Sequence, residues 1–127
     1  MPKRAHKRYP TELEHPIMER IKIRVGDTTI SAEFVGMRIS PVSGYVSHYD
    51  LVIKRKGGVY RYDFSLWDHF GKARLYADDL VESFHKFLRR VKGVNHKTCP
   101  VCRDLKLTSD DIEVLTDRVS FGEYTVL

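Results

Sequence analysis

Three observations on the sequence predict an α+β domain: a four-stranded antiparallel sheet packed against one main helix, with a cysteine turn and a second short helix. Between residues 17 and 64 apolar side chains recur at every second position, the period of a half-buried strand. The runs are joined by short stretches containing glycine, Gly26-Asp27 and Lys54-Arg55-Lys56-Gly57-Gly58 among them, and such hairpins pair neighbouring strands without a crossover. Beyond Gly71 the apolar period lengthens to the roughly 3.6 residues of a helix.

The elements follow in order. Residues 1–16 carry Lys3, Arg4, Lys7 and Arg8 among Pro2, Pro10 and Pro16, with no apolar period. That composition predicts a flexible basic arm ahead of a single domain over 17–127. From Ile17 the pattern alternates, with Ile21, Ile23 and Val25 opposite Arg20, Lys22 and Arg24. A partner strand over Thr28 to Ile39 changes phase from Ile30, Ala32 and Phe34 to Val35, Met37 and Ile39; a bulge near Gly36 accounts for the change. Tyr49, Leu51 and Ile53 then alternate with His48, Asp50 and Lys54, and Tyr60, Tyr62 and Phe64 supply the fourth strand. Leu80, Val81, Phe84, Phe87, Leu88 and Val91 form one stripe over a helix at 79–92. Asp79 and Glu82 have the spacing of a capping box, and Gly93 suits a left-handed C-terminal cap. Thr108 caps the second helix, which carries Ile112, Leu115 and Val119, and Tyr124 and Val126 could add a last edge strand.

At 127 residues and 42% hydrophobic, the chain suffices for one core that buries roughly two thirds of its unfolded surface. Its net charge of +5 is unevenly spread. Residues 108–127 hold five acids against Arg118 and carry −4, which leaves +9 for the first 107. No run approaches the roughly 18 apolar residues of a membrane span, and the N-terminus lacks the apolar segment of a secretory signal. A soluble, cytoplasmic protein with no membrane partner is expected. Phosphate loops, nucleophile elbows, metalloprotease helices and dinucleotide fingerprints do not occur in the chain.

Both cysteines lie in His96-Lys97-Thr98-Cys99-Pro100-Val101-Cys102. A structural zinc site takes four ligands from thiolates and imidazoles; Cys99, Cys102 and His96 would supply three, with His85 or His69 as the fourth. The competing reading is a turn of two packed thiols with His96 merely exposed. A redox pair would stand at the start of a helix after a strand, whereas Cys99 follows a polar loop and Arg103 to Leu107 shows no helical stripe. A zinc deaminase would need a His-x-Glu, which the chain lacks.

Cations cluster in two places. Lys54, Arg55 and Lys56 ride a hairpin tip beside Tyr60 and Arg61, and Lys86, Arg89, Arg90 and Lys92 crowd the end of the helix, continuing to Lys97 and Arg103. Such clusters interleaved with aromatic rings suit a phosphate backbone and its bases. Cations also stabilise any helix C-terminus, and charged hairpin tips discourage edge pairing. Trp67-Asp68-His69-Phe70 could line a pocket or close the end of a core. The carboxylate pairs Asp78-Asp79 and Asp110-Asp111 fit first-turn helix positions better than catalysis.

The chain carries Ile30-Ser31-Ala32-Glu33-Phe34-Val35-Gly36, His48-Tyr49-Asp50-Leu51-Val52-Ile53-Lys54-Arg55 with Tyr62-Asp63-Phe64-Ser65, and Ala77-Asp78-Asp79-Leu80 opening a helix, the marks of a likeness that covers about half of it. In these segments it resembles a group of small accessory proteins encoded by phages and other mobile elements. The resemblance implies an accessory protein of such an element, for which inhibition of a host defence system is a recurrent activity.

Together these features lead to a non-catalytic basic module that binds nucleic acid or a nucleoprotein complex. Two alternatives stand beside it: an inhibitor that docks on a host protein of a defence complex, anti-CRISPR-like in kind, and a small metal-dependent enzyme.

Overall fold

The computed structural model describes residues 21–40, 44–68, 75–95 and 98–127. The expected basic arm, His69 to Gly71, and His96 with Lys97 lie outside them. Eight elements follow in order: β1 (Lys22–Val25), β2 (Thr28–Ser40), β3 (Gly44–Arg55), β4 (Gly58–Asp68), α1 (Ala77–Lys92), α2 (Pro100–Asp104), α3 (Ser109–Ser120) and β5 (Thr125–Val126). The strands form one sheet in the order β4-β3-β2-β1-β5, with antiparallel pairing throughout. The four expected strands are its body, and the chain end adds the fifth at the β1 edge.

Alternation along each strand sorts the sheet into two faces. Ile23, Ile30, Tyr49, Leu51 and Ile53 point one way and are buried, joined by the half-buried Ala32, Phe34, Tyr60, Tyr62 and Phe64. On β2 the register shifts between Phe34 and Gly36. Val35 is the extra residue of that bulge, and it is exposed. The β3–β4 turn is a two-residue hairpin whose central residues, Lys56 and Gly57, both have positive φ, 50° and 83°. Two positive values are what a type I′ turn requires to match the twist of its strands.

The amphipathic stripe expected on α1 is the one that packs. Leu80, Phe84, Phe87, Leu88 and Val91 are buried over the sheet. Phe87 sits between two rings of β4, with centroids 5.4 Å from Tyr60 and 5.5 Å from Tyr62, and Phe84 stacks on Phe87 at 6.2 Å. Both ends of the helix differ from expectation. It starts at Ala77, so Asp79 is the third helical residue and its Oδ2 accepts from the Tyr76 N–H at 2.7 Å. Gly93 has φ −85°, an ordinary right-handed value, so the helix ends without a left-handed cap.

α3 packs beside α1 and β1 through Ile112, Leu115 and Val119. Its N-terminus is closed reciprocally, as the Thr108 hydroxyl accepts from the Asp111 N–H at 3.1 Å while Asp111 Oδ2 accepts from the Thr108 N–H at 3.0 Å. The chain end is tied down twice. Leu127 N–H donates to the Lys22 carbonyl at 2.8 Å, and the Tyr124 hydroxyl donates to Asp78 Oδ1 at 3.0 Å. Among the described residues, the three helices lie on the apolar side of the sheet or at its hairpin end.

The short helix α2 was not expected. It butts against the start of β4, where a Cβ on Gly58 would come 1.9 Å from the Asp104 carbonyl oxygen. Only a residue without a side chain permits that approach. No helix of the described residues is long and apolar enough to cross a membrane.

Candidate nucleic-acid interface

The eight cations singled out in the sequence do not form one surface. Arg55 departs furthest from expectation. It is 5% exposed, and its position on β3 has the parity of Tyr49, Leu51 and Ile53, so the side chain runs under the helices instead of into solvent. There its Nε donates to Asp27 Oδ1 at 3.2 Å, Nη2 approaches Asp111 Oδ2 at 3.2 Å, and Nη1 donates to the carbonyls of Leu105 and Lys106. One guanidinium thereby joins the β1–β2 turn, the β3 end and the α3 N-terminus. Burial disfavours the charged form of Asp111, but the Thr108 donors and the Arg55 and Lys56 cations outweigh it and hold the carboxyl below its ordinary range. Arg55 is a structural ion, and it leaves the set of partner-binding cations.

Arg61 also leaves it. It points to the sheet face away from the helices and pairs with Glu33. On that face the register places Glu33, Asp50 and Asp63 in one row across β2, β3 and β4. Asp63 shares a hydrogen bond with Asp50, which, with some desolvation and the charge of Asp63, raises the Asp50 carboxyl above its usual value. Like charges directly opposite destabilise a sheet, and three carboxylates in a row repel a phosphate backbone.

A carboxyl raised in the folded state binds its proton more tightly there than in the unfolded chain, so stability falls as pH rises through the folded value and is regained as pH drops below it. Asp63→Asn removes the like-charge contact. It should raise the melting temperature at neutral pH, with the gain shrinking as the solution is acidified through the carboxyl range. A gain that does not shrink on acidification, or a loss at neutral pH, would contradict a like-charge contact between Asp50 and Asp63.

The remaining cations gather at one end of the molecule. Phe87 lies against Tyr60 and Tyr62 near the start of β4, so α1 runs with its C-terminus toward the β3–β4 hairpin tip. Arg89, Arg90 and Lys92 in its last turns are exposed, and among the described residues none of them is engaged by a carboxylate. Arg90 places its guanidinium carbon 5.9 Å from the centroid of Tyr62, within cation–π range. Lys86 stands one turn back, 3.8 Å from Glu82, with both side chains more than half exposed. A pair that open contributes little. At the tip, Lys56 is exposed in the turn itself and its carbonyl accepts from Lys106 Nζ at 3.2 Å, while Lys54 points to the opposite sheet face. Arg103 on α2 is exposed, 3.8 Å from the exposed Asp104.

Two depressions border this end. One of about 360 Å³ opens at the hairpin tip among Asp27, Lys54, Arg55, Lys56 and Val59. Another of about 290 Å³ lies between β4 and the first half of α1, where Asp63, Asp79 and Glu82 outnumber Lys86. Its acidity suits no anionic ligand. Burial, opposed by the Tyr76 N–H and reinforced by Glu82 and Asp78, raises the Asp79 carboxyl.

The cysteines take a different setting from the one expected. Cys99 is the N-cap of α2, Pro100 its first residue and Cys102 its third, so the pair does open a helix, although one of a single turn. Cys99 is part-exposed and Cys102 buried. Backbone N–H groups of Cys102 and Val101 and the Cys102 thiol all donate to the Cys99 sulfur; the Cys102 N–H contributes most, and together with Arg103 they lower the Cys99 thiol below its ordinary value against the effect of burial. Burial, with the contact to Cys99, pushes the Cys102 thiol up to about 11. Of the expected zinc ligands, His96 lies outside the described residues and His85 is part-exposed on α1. Among the described residues no group of three or more His, Cys, Asp or Glu side chains could hold a metal ion.

One further contact escaped the sequence reading. Ser65 Oγ and His48 Nδ1 lie 2.9 Å apart on the acidic face. The other ring nitrogen, Nε2, is buried without a hydrogen-bond partner among the described residues. Trp67 and Asp68 end β4; the pocket expected around them depends on residues beyond 68 that are outside the described set. No protein-family model, curated protein or solved structure matches the chain.

Proposed function

We propose that the protein is a non-catalytic module that binds nucleic acid, free or within a nucleoprotein complex, through the end of the domain formed by the α1 C-terminus and the β3–β4 hairpin. One observation carries this reading. Arg89, Arg90 and Lys92 stand exposed in the last turns of α1, Arg90 over the half-buried ring of Tyr62, with Lys56 exposed at the hairpin tip, while the row of Glu33, Asp50 and Asp63 lies on the sheet face away from the helices. Clustered exposed cations displace the counterions of a phosphate backbone, and an adjacent ring edge or face gives an unpaired base a surface to stack on. The acidic row of Glu33, Asp50 and Asp63 would keep the strand off the sheet face and confine it to this end. A host protein of a defence complex is the alternative partner, since an anionic protein groove is complementary to the same cations.

The double substitution Arg89→Glu with Arg90→Glu tests the reading. Both side chains are exposed, so the fold should persist, with a melting temperature lowered by a few degrees as the helix C-terminus loses two favourable charges and Tyr62 its cation. Affinity for labelled oligonucleotides should fall about tenfold or more, as at least two phosphate contacts turn repulsive. Unchanged affinity in the folded variant would remove this end from the interface.

A further inference from the structure

The nucleic-acid reading leaves Cys99 and Cys102 without a role, and their placement is that of a reactive pair. Pro100 between them fixes the backbone where the helix starts, and the first turn brings residues three apart onto one side. The two sulfurs are in hydrogen-bond contact, the Cys102 thiol donating to Cys99. Their exposure differs sharply. Cys99 is open to solvent on one side, whereas Cys102 is 1% exposed and packs with the core cluster. Arg103 is exposed next to them, and Asn95 anchors the approach by accepting from the N–H groups of Thr98 and Cys99 at 3.1 and 2.9 Å.

We propose that Cys99 and Cys102 form a dithiol that reduces disulfides, with Cys99 as the attacking and Cys102 as the resolving sulfur. The Cys99 thiolate attacks one sulfur of a substrate R–S–S–R′, forming a Cys99–S–S–R bond and expelling R′–S⁻, which takes up a proton from water. The Cys102 thiol then gives up its proton and attacks the Cys99 sulfur. That step closes the Cys99–Cys102 disulfide and releases R–S⁻, which is protonated in turn. Two electrons and two protons pass from the protein to the substrate, and a dithiol reductant reverses the cycle. The order of attack follows from access, because only Cys99 can be reached by an incoming disulfide, and only Cys102 is held against it to complete the exchange. Nothing in this cycle depends on nucleic-acid binding.

Full-length reduced protein incubated with glutathione disulfide, or with insulin as a protein disulfide, followed by acid quench and intact-mass and peptide mapping, tests the assignment. Wild-type protein should lose two hydrogens and both free thiols, with the bridge mapping to Cys99 and Cys102. Reaction with either probe supports the dithiol and identifies whether small or protein disulfides are taken. Cys102→Ser should stop as a mixed disulfide on Cys99, and folded Cys99→Ser should be inert. Wild-type protein that remains reduced with both probes, or that accumulates a stable mixed disulfide on Cys99 without closing the bridge, overturns the proposal whatever the variants do. So does one equivalent of zinc in the purified protein that is lost in Cys99→Ser, because both sulfurs would then be metal ligands.

Discussion

Phe84→Ala should lower the stability of the domain by about 3 to 5 kcal/mol, the range for removing a buried aromatic ring that its surroundings cannot replace. Phe84 is 1% exposed and stacks on Phe87, which is itself wedged against Tyr60 and Tyr62. The cavity would therefore open between two layers held apart by the other rings, where collapse is hardest. Lys86→Ala on the outer side of the same helix loses only a weak exposed pair with Glu82, so its cost should stay within about 0.5 kcal/mol. Urea unfolding of the two variants measures the contrast. Equal losses would mean that α1 does not present the face assigned to it.

The second large effect is expected at Arg55. Arg55→Met keeps much of the side-chain volume but strands the buried Leu105 carbonyl and the Lys106 carbonyl, and leaves Asp27 and Asp111 without their shared cation. Breaking a buried ion pair from one side costs about 3 to 5 kcal/mol when the remaining charge stays buried. Here the two carboxylates are 52% and 32% exposed and keep part of their hydration, which places the expected loss at about 3 kcal/mol or somewhat below. Lys54→Met, one residue away and pointing to the other face, should change stability little. The same loss at both positions in chemical denaturation would contradict a structural role specific to Arg55.

Arg55 also shows what could and could not be read from the sequence. Its parity with Tyr49, Leu51 and Ile53 already assigned it to the buried face; grouping it with Lys54 and Lys56 as a charged tip overrode that alternation. The acidic row was legible in the same way. Once the Lys56-Gly57 turn sets the register, Asp50 must face Asp63, and both parities put them outside the core. The strand runs, the bulge next to Gly36 and the stripe of α1 were read correctly because each extends over enough residues to display a period. α2 was missed because five residues show none, and its existence depends on tertiary contact with Gly58. Without α2 in view, the sequence around the cysteine pair shows no helical stripe. The gathering of the α1 end with the hairpin tip depends on the packing direction of Phe87 against Tyr60 and Tyr62, a property of the assembled layers.

Fluorescence anisotropy of the purified protein with labelled single-stranded and double-stranded DNA and RNA tests the central claim most directly, at about 50 mM and about 200 mM salt. Binding through the basic end should be strongest at the lower salt. Log K should then fall linearly with log salt, by about 0.7 per phosphate contacted on a single strand or about 0.9 on a duplex. No association with any of the four probes at the lower salt, where the electrostatic attraction is least screened, would contradict the nucleic-acid reading and transfer the same surface to a protein partner.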